Sequence, residues 1–256
     1  ARALRWVHSS GAGVERLLVP PILGDNVILT DSSGIHQAMV EHVFALMLAF
    51  ARRLHTAVRL QLAHRFEHYA IQGEELGGRT LGILGLGAIG RDIARTAPAF
   101  EMRVIGIKRV PGPIEGVDVV LPPEGLHDVL READYVVVAL PLTRATRHLM
   151  GEREFRAMKP SAVLINIGRG AIVDEPALIT ALREGWIAGA GLDVFEHEPL
   201  PVDSPFYDMV NVIITPHTAG SSPQYFERMT SLFCENLRAF LDGRPMGNVV
   251  DKELGY

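Results

Sequence analysis

The sequence predicts a doubly wound α/β fold, a parallel sheet covered by helices on both faces. Three observations predict it. From residue 80 onward, short apolar runs alternate with segments of helical period. Two of those runs, YVVVAL at 135–140 and AVLINI at 162–167, are almost continuously apolar, as strands buried on both faces must be. A glycine-rich turn, GLGAIG at 85–90, joins the first run to a helical pattern.

The elements follow in order. Residues 4–8 and 26–30 are short apolar runs. From Met39 to about Leu62, apolar residues recur at Val40, Val43, Phe44, Met47, Leu48, Ala51, Leu54 and Val58, which reads as one amphipathic helix. Gly73, Gly77 and Gly78 then break the chain. Strands are expected at 80–84, 102–107, 134–140, 161–167, 187–193 and 211–215, and helices near 90–97, 124–132, 151–158, 175–184 and 223–241. The stretch VPGPIEG at 110–116 has the composition of a surface loop. No internal repeat or low-complexity tract is present.

Bulk properties exclude several function classes. The 256 residues suffice for one large or two modest domains. Net charge is −5 with both signs interspersed, unlike a basic nucleic-acid stripe or a polybasic membrane patch. The one cysteine, Cys234, excludes an internal disulfide and reads as a buried small hydrophobe. The opening ARALRWVHSS lacks a long apolar stretch, and the longest apolar run, 43–51, is too short to span a bilayer. A soluble, cytoplasmic protein is expected.

Gly85, Gly87 and Gly90 form a G-x-G-x-x-G pattern between strand and helix, the Rossmann dinucleotide context. The first glycine allows a tight turn, the second a close approach of pyrophosphate, and the third close helix packing. Ala88 and Ile89 complete the turn, where the helix N-terminus offers free N–H groups. Three later segments end at expected strand termini, where open α/β sheets place ligands. They bring Arg169, then Asp193 and Glu198, then His217. Reduction of a 2-oxo acid needs a hydride donor, a proton donor and a cation for the carboxylate. Histidine can protonate the carbonyl oxygen, a carboxylate on its other nitrogen favours imidazolium, and arginine offers a planar fork. His217, Glu198 and Arg169 fill those roles. Taken singly, each has an ordinary reading as a buried histidine, a solvated loop residue or a turn cap; together they make a site.

The motifs SSGAG at 9–13, VEHVFALML at 40–48, GLGAIG at 85–90, LPLTRATRHL at 140–149, NIGRGAIVDEPAL at 166–178, GLDVFEHEP at 191–199 and PHTAG at 216–220 run along nearly the whole chain. Together they resemble the D-isomer-specific 2-hydroxyacid dehydrogenase family. The resemblance implies that Arg169 binds substrate and that Glu198 pairs with the acid/base His217. It also implies that Ser10, Gly11, Ala12 and Gly13 give backbone N–H groups to the substrate carboxylate. Leu140, Pro141 and Thr146 would line the cofactor groove, with Ile167, Gly168 and Asp193 near the nicotinamide and Ala219 also binding the cofactor. Glu198 differs from the glutamine typical of the formate dehydrogenase branch. A glyoxylate- or hydroxypyruvate-type reductase, dimerising through the helix near 39–62, is the implied activity. A second reading, from another class, is a dinucleotide-sensing, corepressor-like binding protein.

Two departures from the family pattern carry information. Where an NAD-preferring fold carries Asp or Glu after its second strand, this chain has Lys108 followed by Arg109. The pair would attract a 2′-phosphate, so NADP(H) is expected in preference to NAD(H). The other departure is at the start. Family members usually have a few tens of residues ahead of the piece equivalent to RWVHSSGAG at 5–13. The resemblance therefore implies a partly missing, flavodoxin-like substrate domain at 1–36 and 222–256, beside a dinucleotide-binding domain at 37–221.

Other polar residues carry less. His8 reads as a pocket or strand-end packing residue, His55, His64 and His68 as surface residues, and His197 as a solvated neighbour of Glu198. No metal site is expected, because no HExxH pattern accompanies the His64/His68 spacing.

Overall fold

The structure is a computed structural model that describes residues 4–24, 26–69 and 71–256. Residues 1–3, 25 and 70, which the predicted domain segments include, lie outside the described residues. The chain begins with β1 (Trp6–His8), α1 (Pro20–Leu23) and β2 (Ile28–Thr30). The two strands pair in parallel as a small sheet, with Trp6 opposite Ile28 and His8 opposite Thr30.

The helix expected across 39–62 is two helices, α2 (Gln37–Ala51) and α3 (Leu54–Leu62). Arg53 between them is left-handed, with φ of +54°. The returning chain explains the break. The Glu74 N–H donates to the Ala51 carbonyl at 2.7 Å, engaging the acceptor that a continuing helix would use. On α2, Val40, Val43, Phe44, Leu46, Met47, Phe50 and Ala51 are buried within this same chain. On α3 no residue is buried, and Leu54, Val58 and Leu62 are exposed.

The main sheet has seven parallel strands: β3 (Thr80–Leu84), β4 (Arg103–Ile107), β5 (Val119–Leu121), β6 (Tyr135–Val138), β7 (Val163–Asn166), β8 (Gly189–Leu192) and β9 (Val212–Ile214). Their order is β5-β4-β3-β6-β7-β8-β9, so the direction of winding reverses between β3 and β6. A crevice for ligands lies at such a reversal, beyond the C-terminal strand ends. β5 was not anticipated. It is a three-residue edge strand, all half-buried, whose apolar run Val119-Val120-Leu121 is cut short by Asp118 and Pro122.

Helices cover both faces. On one side α2 and α4 (Ala88–Thr96) enclose a core containing Met47, Ile83, Ile93 and Ile165. On the other, α5 (Leu126–Glu132), α6 (Glu152–Ala157) and α7 (Glu175–Glu184) enclose Leu130, Phe155, Leu164 and Leu178. α7 is bounded as its sequence dictates. Asp174 accepts from the Ala177 N–H at its start, and Gly185 takes φ of +70° at its end.

The long α8 (Pro223–Leu241) leads back to the small sheet. Trp6 stacks on Phe233 and Phe240 of α8, with centroids 5.2 and 5.6 Å apart. Beyond α8, the Val250 N–H donates to the Leu29 carbonyl at 2.8 Å. Val250 joins Val14, Ile22, Val27 and Leu29 in a separate small core. Among the described residues, no helix is long and apolar enough to cross a membrane. Cys234, expected to be buried, is partly exposed on α8.

Candidate active site

β3 ends in the glycine turn. Gly85 has φ of +106°, and a Cβ there would come within 2.7 Å of the Ala139 carbonyl oxygen. A Cβ on Gly90 would overlap the Gly85 carbonyl oxygen. These two glycines are therefore required by the protein's own packing. Gly87 differs, since a Cβ there would meet open space. It is the N-cap of α4 and supplies no side-chain cap. The N–H groups of Ala88, Ile89 and Gly90 are thus left for an anion at the helix end, which suits a pyrophosphate.

The groove beside this turn is formed by the loop after β6. Leu140 packs near Gly85. Thr146 Oγ1 donates to the Pro141 carbonyl at 2.7 Å and accepts from the Thr143 N–H at 2.8 Å, so this hydroxyl shapes the loop itself. Ile167 is 3% exposed and belongs to the core. The Gly168 N–H is held by Asn166 Oδ1 at 3.1 Å. Lys108 follows β4 directly and is half-buried. Arg109 is exposed and lies over the Tyr256 ring, 5.4 Å from its centroid.

Arg169 leaves β7 in extended conformation. Its Nη1 donates to the Gly168 carbonyl at 2.8 Å and its Nε to Glu15 Oε1 at 2.7 Å. The loop Ser9–Gly13, which follows β1, lies against it: a Cβ on Gly13 would overlap Arg169 Nη2. Within this loop the Gly11 N–H is turned inward to Ser9 Oγ at 3.3 Å, and Tyr225 donates its hydroxyl to the Ser10 carbonyl. Among the described residues, the N–H groups of Ala12 and Gly13 have no protein acceptor.

Glu198 and His217 come from neighbouring strand ends, beyond β8 and β9. Glu198 Oε2 is 2.7 Å from His217 Nδ1, and Oε1 accepts from the Phe195 N–H at 3.0 Å. Burial pushes the Glu198 carboxyl up, but the hydrogen bonds from His217 and Phe195 outweigh it and hold the group below its ordinary value. An ionised Glu198 takes the proton-bearing Nδ1 of His217, which leaves Nε2 for a reacting oxygen.

Asp193 is 1% exposed and acts as the hub under His217. Its Oδ1 accepts from Thr215 Oγ1 at 2.6 Å and from the Thr218 N–H at 2.8 Å, and its Oδ2 from the Ala219 N–H at 2.9 Å. His42 on α2 completes the network, with Nε2 3.0 Å from Thr215 Oγ1. Glu15, His42, Thr215 and Asn166 were not singled out in the sequence. One of them had a usable signal: Thr215 lies two residues before His217.

Other predicted residues resolve simply. Both His8 ring nitrogens are engaged, with Thr30 Oγ1 at 2.7 Å and Ser32 Oγ at 3.2 Å, which is the packing reading. His64, His68 and His197 are exposed, whereas His55 is half-buried with Nδ1 3.2 Å from the Ala49 carbonyl oxygen, so it is not the surface residue expected. Among the described residues, no group of three or more His, Cys, Asp or Glu could hold a metal.

The chain is similar to known proteins. The family profile described as D-isomer specific 2-hydroxyacid dehydrogenase, NAD binding domain, matches residues 44–219. A glyoxylate reductase of Aeropyrum pernix is 40% identical over 262 residues, which are 99% of this chain and 78% of that protein. One from Korarchaeum cryptofilum is 38% identical over 263 residues, with the same shares. The NADPH-dependent glyoxylate/hydroxypyruvate reductase of Sinorhizobium meliloti, solved with NADP and sulfate, superposes with a TM-score of 0.91. It is 35% identical, and the match takes in 100% of this chain and 81% of that one. A D-isomer specific 2-hydroxyacid dehydrogenase of Xanthobacter autotrophicus, solved with NADPH and MES, gives a TM-score of 0.88 at 38% identity, over 99% of this chain and 79% of that one.

Proposed function

Because the chain belongs to the D-isomer-specific 2-hydroxyacid dehydrogenase family, we propose that it reduces small 2-oxo acids with NADPH, glyoxylate and hydroxypyruvate foremost. The observation that carries this reading is the 2.7 Å bond between His217 Nδ1 and Glu198 Oε2 beside Arg169. That is a proton donor with its orienting carboxylate, next to a cation for the substrate.

Bound NADPH would supply the hydride that reaches the carbonyl carbon. Arg169 takes the substrate carboxylate, assisted by the free N–H groups of Ala12 and Gly13. His217 delivers the Nε2 proton to the carbonyl oxygen as charge develops there. Glu198 stabilises the imidazolium and fixes the ring. Asp193 holds the turn that carries His217. The residues after β4 fit the phosphorylated cofactor: Lys108 and Arg109 offer two cations and no acid to repel a 2′-phosphate.

We assign residues 37–221 to the dinucleotide-binding unit, and 1–36 with 222–256 to the substrate unit. The small core shared by Val14, Leu29 and Val250 supports that division. A cytoplasmic homodimer completes the reading. Leu54, Val58 and Leu62 on α3, with Phe66 and Tyr69 after it, are all exposed and offer an apolar contact surface. Sedimentation of the wild type and of a Val58→Glu/Leu62→Glu double variant tests it, a dimer and a monomer being expected.

The activity is tested by following NADPH absorbance with a panel of 2-oxo acids. His217→Ala should abolish turnover while NADPH binding survives. Tight NADPH binding with no turnover on any 2-oxo acid would instead favour a dinucleotide sensor. Lys108→Asp should lower kcat/KM for NADPH by about 10-fold or more, the cost of one charged hydrogen bond, and leave NADH little changed.

A further inference from the structure

We propose that Glu15 is a positioning residue for substrate binding, holding Arg169 and the loop Ser9–Gly13 together as one preformed site for a carboxylate. The inference rests on the reading of Arg169 as the substrate cation. Glu15 lies in the small unit and Arg169 at the end of β7, 154 residues apart, yet Arg169 Nε donates to Glu15 Oε1 at 2.7 Å. Both side chains are only 28% exposed, so the pair is partly shielded from water. Burial pushes the Glu15 carboxyl up, but the hydrogen bond and charge of Arg169 outweigh it and hold the group below its ordinary value. Glu15 is therefore ionised at neutral pH.

The donors of Arg169 can be followed individually. Arginine has five N–H groups in a fixed fork. Nε is directed to Glu15, and one Nη1 donor to the Gly168 carbonyl. The remaining three lie on the Nη1 and Nη2 edge. Nη2 lies so close to the loop that a Cβ on Gly13 would overlap it. Beside it, Ala12 and Gly13 have N–H groups without a protein acceptor among the described residues. Glu15 thus occupies the Nε side of the guanidinium and leaves the outer edge, with the loop N–H groups, to a carboxylate. A long arginine side chain loses rotamer freedom when fixed, and Glu15 fixes it before substrate arrives.

The assignment predicts a split between the two substrates of the reaction. Glu15→Ala should raise KM for glyoxylate, and the inhibition constant of oxalate as a dead-end carboxylate probe, by about 10-fold or more. The NADPH dissociation constant should not move. Glu15→Gln, whose amide oxygen still accepts from Nε, should restore KM to within about threefold of wild type. Glu15→Asp, one methylene shorter, serves if the alanine variant does not fold, and should raise KM without altering NADPH binding.

Unchanged glyoxylate KM in Glu15→Ala, or an equal rise in the NADPH constant, overturns the assignment. Arg169→Met separates this failure from that of the premise. If Arg169→Met leaves KM unchanged, the substrate role of Arg169 is wrong. If it raises KM strongly while Glu15→Ala does not, only the role of Glu15 is wrong.

Discussion

His217 Nδ1 meets Glu198 Oε2 at 2.7 Å across two neighbouring strand ends, and the histidine that makes this bond has φ of +55°. A non-glycine residue in that region costs on the order of 1 kcal/mol or more and persists only where its surroundings dictate it. Asp193 holds three consecutive N–H groups of this turn. Its carbonyl accepts from the His217 N–H at 2.8 Å, and its carboxylate takes the next two N–H groups, those of Thr218 and Ala219.

Asp193→Asn tests that account. An amide has one acceptor oxygen for three donors, so at least one buried N–H or hydroxyl loses its partner. About 1–3 kcal/mol of stability should be lost, together with kcat, because the His217 turn is no longer fixed. Urea denaturation and steady-state kinetics on the one variant measure both. A variant of unchanged stability would separate Asp193 from the strained turn.

The proton donor's partner sets an acid limit. The Glu198 carboxyl is held below its ordinary value, so its stabilising interaction is fully present above the ordinary carboxylate range. It is lost as pH falls through the lowered folded-state value. Activity loss on acidification should therefore begin below the range where free glutamate titrates. Glu198→Gln should lower kcat by roughly 10- to 100-fold, typical of disturbed acid–base catalysis, and leave the NADPH dissociation constant unchanged.

Buried His36 should make stability depend on pH in the neutral range. It is 8% exposed, stacks on Tyr225 at 5.7 Å, and neither ring nitrogen has a partner among the described residues. Burial pushes its pKa down, against the opposing pull of Asp31. The folded value lies below the unfolded one, so this contribution is complete above about pH 6.5 and is lost as pH falls through the folded value. The melting temperature should drop on acidification, and His36→Phe, which keeps the stack, should flatten part of that slope.

The glycine turn yields a contrast between two identical changes. Gly90→Ala places a Cβ on the Gly85 carbonyl oxygen and should destabilise the apoprotein by about 1–3 kcal/mol. Gly87→Ala meets open space and should leave the melting temperature alone, but should weaken NADPH binding by about 10-fold, where a methyl enters the pyrophosphate's approach. Calorimetric melting with and without NADPH distinguishes the two.

The sequence was legible where structure is local. Apolar runs marked β3, β4 and β6 to β9, and capping residues bounded α7. β5 escaped because its apolar run, Val119 to Leu121 between Asp118 and Pro122, is too short to stand out. The split between α2 and α3 escaped because its cause is Glu74, more than 20 residues away from the Ala51 carbonyl it engages. In the site, the motifs marked Arg169, Glu198 and His217. They could not mark Glu15 or His42, whose partners Arg169 and Thr215 are 154 and 173 residues distant. No period in a sequence records a contact at that range.

The small sheet also constrains the order of assembly. β1 and β2 leave the ribosome before the main sheet exists, yet their partners, Phe233, Phe240 and Val250, are made more than 200 residues later. Throughout synthesis of β3 to β9, Trp6 and Leu29 lack the surfaces that finally cover them. The seven-stranded sheet can fold while it emerges, domain-wise. The carboxylate loop can then be fixed only after translation has passed α8, so the substrate half of the site matures last.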